Sequence, residues 1–168
     1  KGIAVNAKIA ALHLLSRSKM NSFSGRSGRK KKRSLFGRRG ITEESGYTRL
    51  VKKTVNGRLT GFALDVFILT EIPEMHFIAT AAHELMHVWQ HLYAVPENDR
   101  ALREGSCNFA SYLVLRDYNT RMAEYIIKMY FEREDRIYGD GFRKVVSLVD
   151  TAGLKGWLQF LRNNRKLR

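Results

Sequence analysis

The run Phe62-Ala63-Leu64-Asp65-Val66-Phe67-Ile68-Leu69, then Pro73, then Ile78-Ala79-Thr80-Ala81-Ala82-His83-Glu84-Leu85-Met86-His87-Val88-Trp89, carries the transition on which the fold turns. Its first part is apolar at every position except Asp65, the pattern of a strand covered on both faces, central or near-central in a sheet. Pro73 closes that strand and opens a long apolar helix, Glu74–Tyr93. Working backward, Asn56-Gly57 separates two β-prone runs, Tyr47–Val55 and Arg58–Leu69, and predicts a two-residue hairpin turn with positive φ. Ile3 to Leu15 is apolar and reads as a strand, a helix, or one running into the other. Working forward, every segment reads as helix. One is capped by Asp99 and runs to about Leu115; a second spans Thr120–Glu134, with Met122, Tyr125, Ile126 and Met129 at helical spacing. A third is capped by Asp140 and ends near Gly153, and a last one spans about Leu154–Leu161. Strands first and helices after predict an α+β domain: a small N-terminal antiparallel sheet and a mainly helical C-terminal part.

Composition narrows the function classes. With 168 residues and 44% hydrophobic side chains the chain can bury one ordinary core. The lone Cys107 excludes a disulfide framework and any zinc site built on several thiolates. No stretch of roughly eighteen uncharged apolar residues predicts a membrane span. The formal charge is +14, but residues 1–42 hold twelve Lys/Arg and no acid, so +12 of the excess sits in the first quarter. Residues 1–16 are therefore expected to pack on the domain, 17–40 to form a basic mobile loop or arm, and 41–168 to form the functional domain. The basic run Arg29-Lys30-Lys31-Lys32-Arg33, with Phe23 and Phe36 nearby, also supports a competing reading. In that reading residues 17–39 bind nucleic acid through salt-dependent, sequence-blind contacts.

The chemistry lies in His83-Glu84-Leu85-Met86-His87. Residues four apart on a helix project from one face a turn apart, so both imidazoles can hold one metal ion. Glu84 points toward the side where a metal-bound water would sit. Imidazole nitrogen suits zinc, one ion per chain, and a catalytic site needs a third protein ligand. Glu104, seventeen positions beyond His87 on the next helix, would be returned to the pair by a helical hairpin through the Pro96 loop, as in gluzincin peptidases. His91 and His76 on the same helix compete for that role and are worse placed to cap their own metal. Asn108, one turn beyond Glu104, is placed to hydrogen-bond a ligating imidazole. Cys107 reads as a small buried side chain.

Three motifs together resemble a family. Ala82-His83-Glu84-Leu85-Met86-His87-Val88-Trp89, Glu104-Gly105-Ser106-Cys107 and Tyr138-Gly139-Asp140-Gly141-Phe142-Arg143 resemble the peptidase domain of the DA-one family, the organ-size regulators of plants and their bacterial relatives. That family carries a His-Glu-Met-Met-His-Ala-Trp motif, a Glu-Gly-Ile-Cys segment and a Tyr-Gly-Asp-Gly-Phe-Arg segment. The similarity covers about residues 39–163. It implies a zincin-like, cytosolic peptidase acting on protein substrates, with zinc on His83, His87 and Glu104 and Glu84 as catalytic base. Where the family often has two glutamates before the glycine, Arg103 stands first here, leaving Glu104 as the candidate. The LIM-type modules and ubiquitin-interacting segments of plant members are not found in these residues, so ubiquitin control is not carried over.

Two further expectations follow from this reading. Either an extended peptide would add to the edge of the strand through Phe62, Leu64 and Val66, or that strand is wholly internal. Tyr138, or Arg143 as an alternative that anchors substrate or a carboxylate, would donate to the oxyanion formed at the scissile carbonyl. The remaining alternative is a metal-binding scaffold without activity, which would leave Glu84 unexplained.

Overall fold

The structure is a computed structural model, and it describes residues 6–24, 45–56, 58–94 and 99–163. Three strands, β1 (Asn6–Leu15), β2 (Gly46–Val55) and β3 (Arg58–Leu69), form one sheet in the order β1-β3-β2. Helix α1 (Arg17–Ser24) follows β1. Helices α2 (Glu74–Tyr93), α3 (Arg100–Leu115), α4 (Arg121–Glu132) and α5 (Gly139–Asn163) follow the sheet. The architecture is α+β.

The pattern of β3 has a direct physical cause. Leu64, Val66 and Ile68 face α2 and pack with Val88, Phe77, Ala81 and Leu92. Phe67 and Leu69 face the other way and pack with Met20 of α1 and with Leu15 and Ile72. A strand covered by a helix on each face has no side on which polar residues would be stable. Asp65 is tolerated because Arg49, its cross-strand partner on β2, donates to it at 2.6 Å, and His13 of β1 lies 3.4 Å away. Asn56 takes φ 50 at the turn between β2 and β3, the left-handed conformation the hairpin requires.

The structure corrects several expectations. The sheet is mixed: β2 and β3 are antiparallel, but β1 runs parallel to β3, with an irregularity between Lys8 and Ala11. A strand not joined to its neighbour by a hairpin is free to run in either direction, so turn chemistry does not specify its sense. Residues 17–24 are helical rather than part of an arm, because buried Met20 anchors them to the sheet; the remainder of the basic segment, 25–40, lies outside the described residues. β3 is hydrogen-bonded on both sides, so Phe62, Leu64 and Val66 offer no free edge to a peptide, and Leu64 and Val66 are buried. Asp140 sits inside the first turn of α5, paired with Arg143, and does not cap it. Asp135 holds the turn that leads into α5, its side chain accepting from the N–H groups of Ile137 and Tyr138. The expected break near Gly153 is present: Gly153 takes φ 70 and ψ 172, outside the helical range, and divides α5 into two helical segments.

The helical half has its own core, built from Met86, Leu102, Cys107, Phe109, Phe142, Val145, Trp157 and Leu161. Two glycines set how closely its helices approach. A methyl group on Gly105 would overlap the backbone of Gly141, and one on Gly141 would overlap the Ala101 carbonyl. The Glu104-Gly105-Ser106-Cys107 and Tyr138–Arg143 segments are thus adjoining surfaces: backbone-to-backbone packing of α3 on α5 explains Gly105 and Gly141, while Gly139 packs on the Arg133 backbone. No helix among the described residues is long and apolar enough to cross a membrane.

Candidate metal centre

Helices α2 and α3 form an antiparallel hairpin, and the site lies along its seam. Asp99 starts α3 by accepting from the Ala101 N–H. From that point four polar groups on α3 meet groups on α2 in descending order. Ser111 Oγ donates to the Ala79 carbonyl at 2.7 Å, Asn108 meets His83, Glu104 meets His87, and the Arg103 carbonyl accepts from Gln90 Nε2 at 2.9 Å. The polar stripe on an otherwise apolar helix is thereby paired group by group, as burial demands.

Glu104 Oε2 lies 3.5 Å from His83 Nε2 and 3.4 Å from His87 Nε2. The far nitrogen of each ring is also engaged. Asn108 Oδ1 is 3.1 Å from His83 Nδ1, and Gln90 Oε1 is 3.2 Å from His87 Nδ1. An amide oxygen can only accept, so each Nδ1 carries a proton. That leaves both Nε2 atoms of the neutral rings with lone pairs facing a carboxylate. The two amides are themselves fixed: Asn108 Nδ2 donates to the Tyr138 carbonyl at 3.3 Å, and Gln90 Nε2 to the Arg103 carbonyl. Three acceptors converge on one point, an arrangement that calls for a cation or for extra protons on the rings.

The electrostatics agree. Burial works to raise the Glu104 carboxyl. The hydrogen bonds and charges of His83 and His87 outweigh it and hold the group well below the ordinary carboxylate range. For His87 the balance is the same in mirror image: burial lowers the imidazole, but Glu104, Glu84 and Gln90 favour its protonated form and raise it. Both shifts reflect the close approach of one carboxylate to two imidazoles.

Cys107 lies beside the same ring. Its Sγ is 3.3 Å from His87 Nδ1, and His83, His87 and Cys107 place potential ligand atoms within 4.8 Å of one another. This group is compatible with a metal ion. Cys107 is fully buried, and burial together with the charges of Glu104 and Glu84 pushes its thiol well above the usual range.

Glu84 is 6% exposed and is held from the sheet. Thr48 Oγ1 of β2 donates to Glu84 Oε2 at 2.7 Å, with the Glu84 carbonyl oxygen 3.2 Å away. Tyr138 brings its backbone to the site through Asn108, while its ring lies under the Arg133 guanidinium, 4.4 Å from centroid to Cζ. Arg143 donates to the carbonyls of Phe131 and Arg133, at 2.8 and 2.7 Å, and to Asp140. Its guanidinium clamps the junction of α4 and α5. Among the described residues no hydrogen bond or ion pair joins His76 or His91 to the centre, and burial lowers both imidazoles.

The residues that sequence reasoning passed over are Gln90, Thr48 and Gly46. Gln90 carried a signal, a polar side chain three positions after His87 on a helix with a buried face. Thr48 and Gly46 carried none, because their partner lies 36 or more residues away on a different element. Comparison with known proteins gives no match: no family model, curated protein or solved structure is significantly similar to this chain.

Proposed function

We propose that the chain is a zinc-dependent endopeptidase whose metal is held by His83, His87 and Glu104. One observation carries the reading: two imidazole Nε2 atoms, with their Nδ1 protons committed to amide oxygens, share a single buried carboxylate oxygen. A His₂Glu donor set of borderline nitrogen and hard oxygen is that of catalytic zinc with a position left for water. Glu104 is preferred to Cys107 as third ligand on geometric grounds: its Oε2 lies 3.5 Å from His83 Nε2 and 3.4 Å from His87 Nε2. In addition, Cys107 addresses the Nδ1 side of His87, away from the side that faces Glu104.

Zinc held there would lower the pKa of its water to about 7 and polarise the scissile carbonyl. The chain's own residues supply the remaining roles. With Glu84 Oε2 engaged by Thr48, Oε1 is the oxygen left to take the proton of the attacking water and pass it to the leaving amine. Asn108 and Gln90 fix the tautomer and the angle of the two ligating rings. Gly46–Val55 is the strand beside Glu84 and an edge of the sheet among the described residues, which makes β2 the support for an extended substrate in place of β3. The resemblance of the three motifs to the DA-one peptidases supports the same assignment of residues, and it extends the proposal to protein substrates in the cytosol.

The test is cleavage of a proteome-derived peptide library by zinc-loaded protein, with Glu84→Gln as control. The reading expects new peptide termini from the wild-type chain alone, and loss of about a hundred- to ten-thousandfold in rate for the variant. Equal cleavage by both would refute it.

A further inference from the structure

The inward face of β2 is unusual at the two positions nearest α2. Alternation along the strand turns Gly46, Thr48 and Leu50 toward α2, opposite Ile68, Val66 and Leu64 of β3, and turns Tyr47 and Arg49 toward the other face. Leu50 packs into the apolar cluster there. Thr48 instead brings a hydroxyl, and Gly46 brings nothing. Both exceptions meet Glu84. The Thr48 hydroxyl is 2.7 Å from Glu84 Oε2. A Cβ built on Gly46 would lie 2.5 Å from Thr80 Cγ2, 2.8 Å from Glu84 Cγ and 2.9 Å from Glu84 Oε1. Ser45, just before the strand, bonds Thr80 through their hydroxyls at 3.0 Å, one turn of α2 ahead of Glu84. Ser45, Gly46 and Thr48 are thus matched to one carboxylate and the turn of α2 that precedes it.

A buried carboxylate on a free rotor has several staggered positions, and only some present an oxygen to a reacting water. A hydroxyl holding one oxygen, with a glycine clearing the space beside the other, selects a single position at little cost in bulk. We propose that Thr48 is a positioning residue for Glu84, acting through its hydrogen bond to Oε2, and that Gly46 is the space this placement requires. The inference rests on the reading of Glu84 as the base of a zinc peptidase. It adds that β2 orients the base as well as bordering the site.

The experiment uses the zinc-loaded chain and a synthetic peptide spanning the site it cuts fastest in a peptide library. Thr48→Val keeps the shape and removes the hydroxyl, Thr48→Ala removes both, and Thr48→Ser restores the hydroxyl alone. Loss of a hydrogen bond to a charged group should lower kcat about ten- to a hundredfold in the Val and Ala variants, with KM changed less than about twofold and Ser within about threefold of wild type. Zinc content should stay at one per chain in all of them. A readout independent of turnover is a double-mutant cycle on unfolding. If the bond exists, Thr48→Val should destabilise the wild-type chain more than it destabilises Glu84→Ala. Wild-type kcat in Thr48→Val, loss of zinc on that substitution, or failure of Ser to rescue would overturn the proposal while an inactive Glu84→Gln left the peptidase reading intact. If the wild-type chain and Glu84→Gln behave alike, the peptidase reading fails and the positioning role fails with it.

Discussion

Replacing Asn108 with Leu removes two hydrogen bonds from the wall of the candidate centre without greatly changing its volume. Asn108 is 4% exposed, accepts from His83 Nδ1 at 3.1 Å and donates to the Tyr138 carbonyl at 3.3 Å. Each bond contributes about 0.5–1.5 kcal/mol, so their joint loss should destabilise the metal-free chain by about 1–3 kcal/mol. The effect on the metal is separate. Without its acceptor the His83 ring can carry its proton on either nitrogen and rotate, and losing such a support typically weakens metal affinity about ten- to a hundredfold. Urea unfolding of the metal-free protein measures the first quantity, and competition for zinc against a chelator measures the second. Asn108→Asp, which keeps the acceptor but loses the donor, should recover most of the affinity and little of the stability. A Leu variant that binds zinc as tightly as wild type would refute the claim that Asn108 fixes the ligating tautomer of His83.

Three other outcomes are expected. Gly105→Ala would push a methyl group into the Gly141 backbone and should lower stability by about 1–3 kcal/mol, read as a drop in melting temperature. The Arg49 hydrogen bond, offset in part by burial and aided by His13, holds the Asp65 carboxyl below its ordinary value. The stability it contributes is therefore present above the unfolded-state value of about 3.9 and is lost as pH falls through the lower folded-state value; Asp65→Asn should flatten the acid limb of a stability–pH curve in that window. Tyr138→Phe should keep zinc content and melting temperature while lowering turnover about a hundred- to a thousandfold if the phenol serves the oxyanion; unchanged turnover would confine this residue to its backbone contact with Asn108.

Much of this could be read in the sequence because the governing interactions are local or periodic. The i, i+4 spacing of His83 and His87 is a property of one helix. The return of Glu104 depends only on a short connection between two amphipathic helices. Asn108 follows from the same register. The double-sided apolar pattern of β3 likewise announced its central place, although the same pattern should have barred it from serving as a substrate edge. What escaped reading was non-local. The direction of β1 depends on a connection with no turn signature. Met20 is one apolar residue in a basic stretch, and its burial is decided by the far face of β3. Thr48 and Gly46 are ordinary strand residues until α2 is laid across them. Arg143 looked like a site residue because a guanidinium near a cleft suggests an anion, yet its donors go to the main chain at the end of α4. Asp140 does not cap α5 because the helix already starts at Gly139, while Asp135, five residues earlier, holds the turn before it.

The central claim is the identity of the ligand set, and X-ray absorption at the zinc edge of the loaded protein addresses it most directly. The account predicts one zinc per chain with a light-atom shell alone, nitrogen and oxygen at about 2.0–2.2 Å with two imidazoles, and the loss of tight binding in Glu104→Gln. A sulfur at about 2.3 Å would replace Glu104 by Cys107 as the third ligand. Failure of the wild-type chain to retain zinc would contradict the metal centre itself.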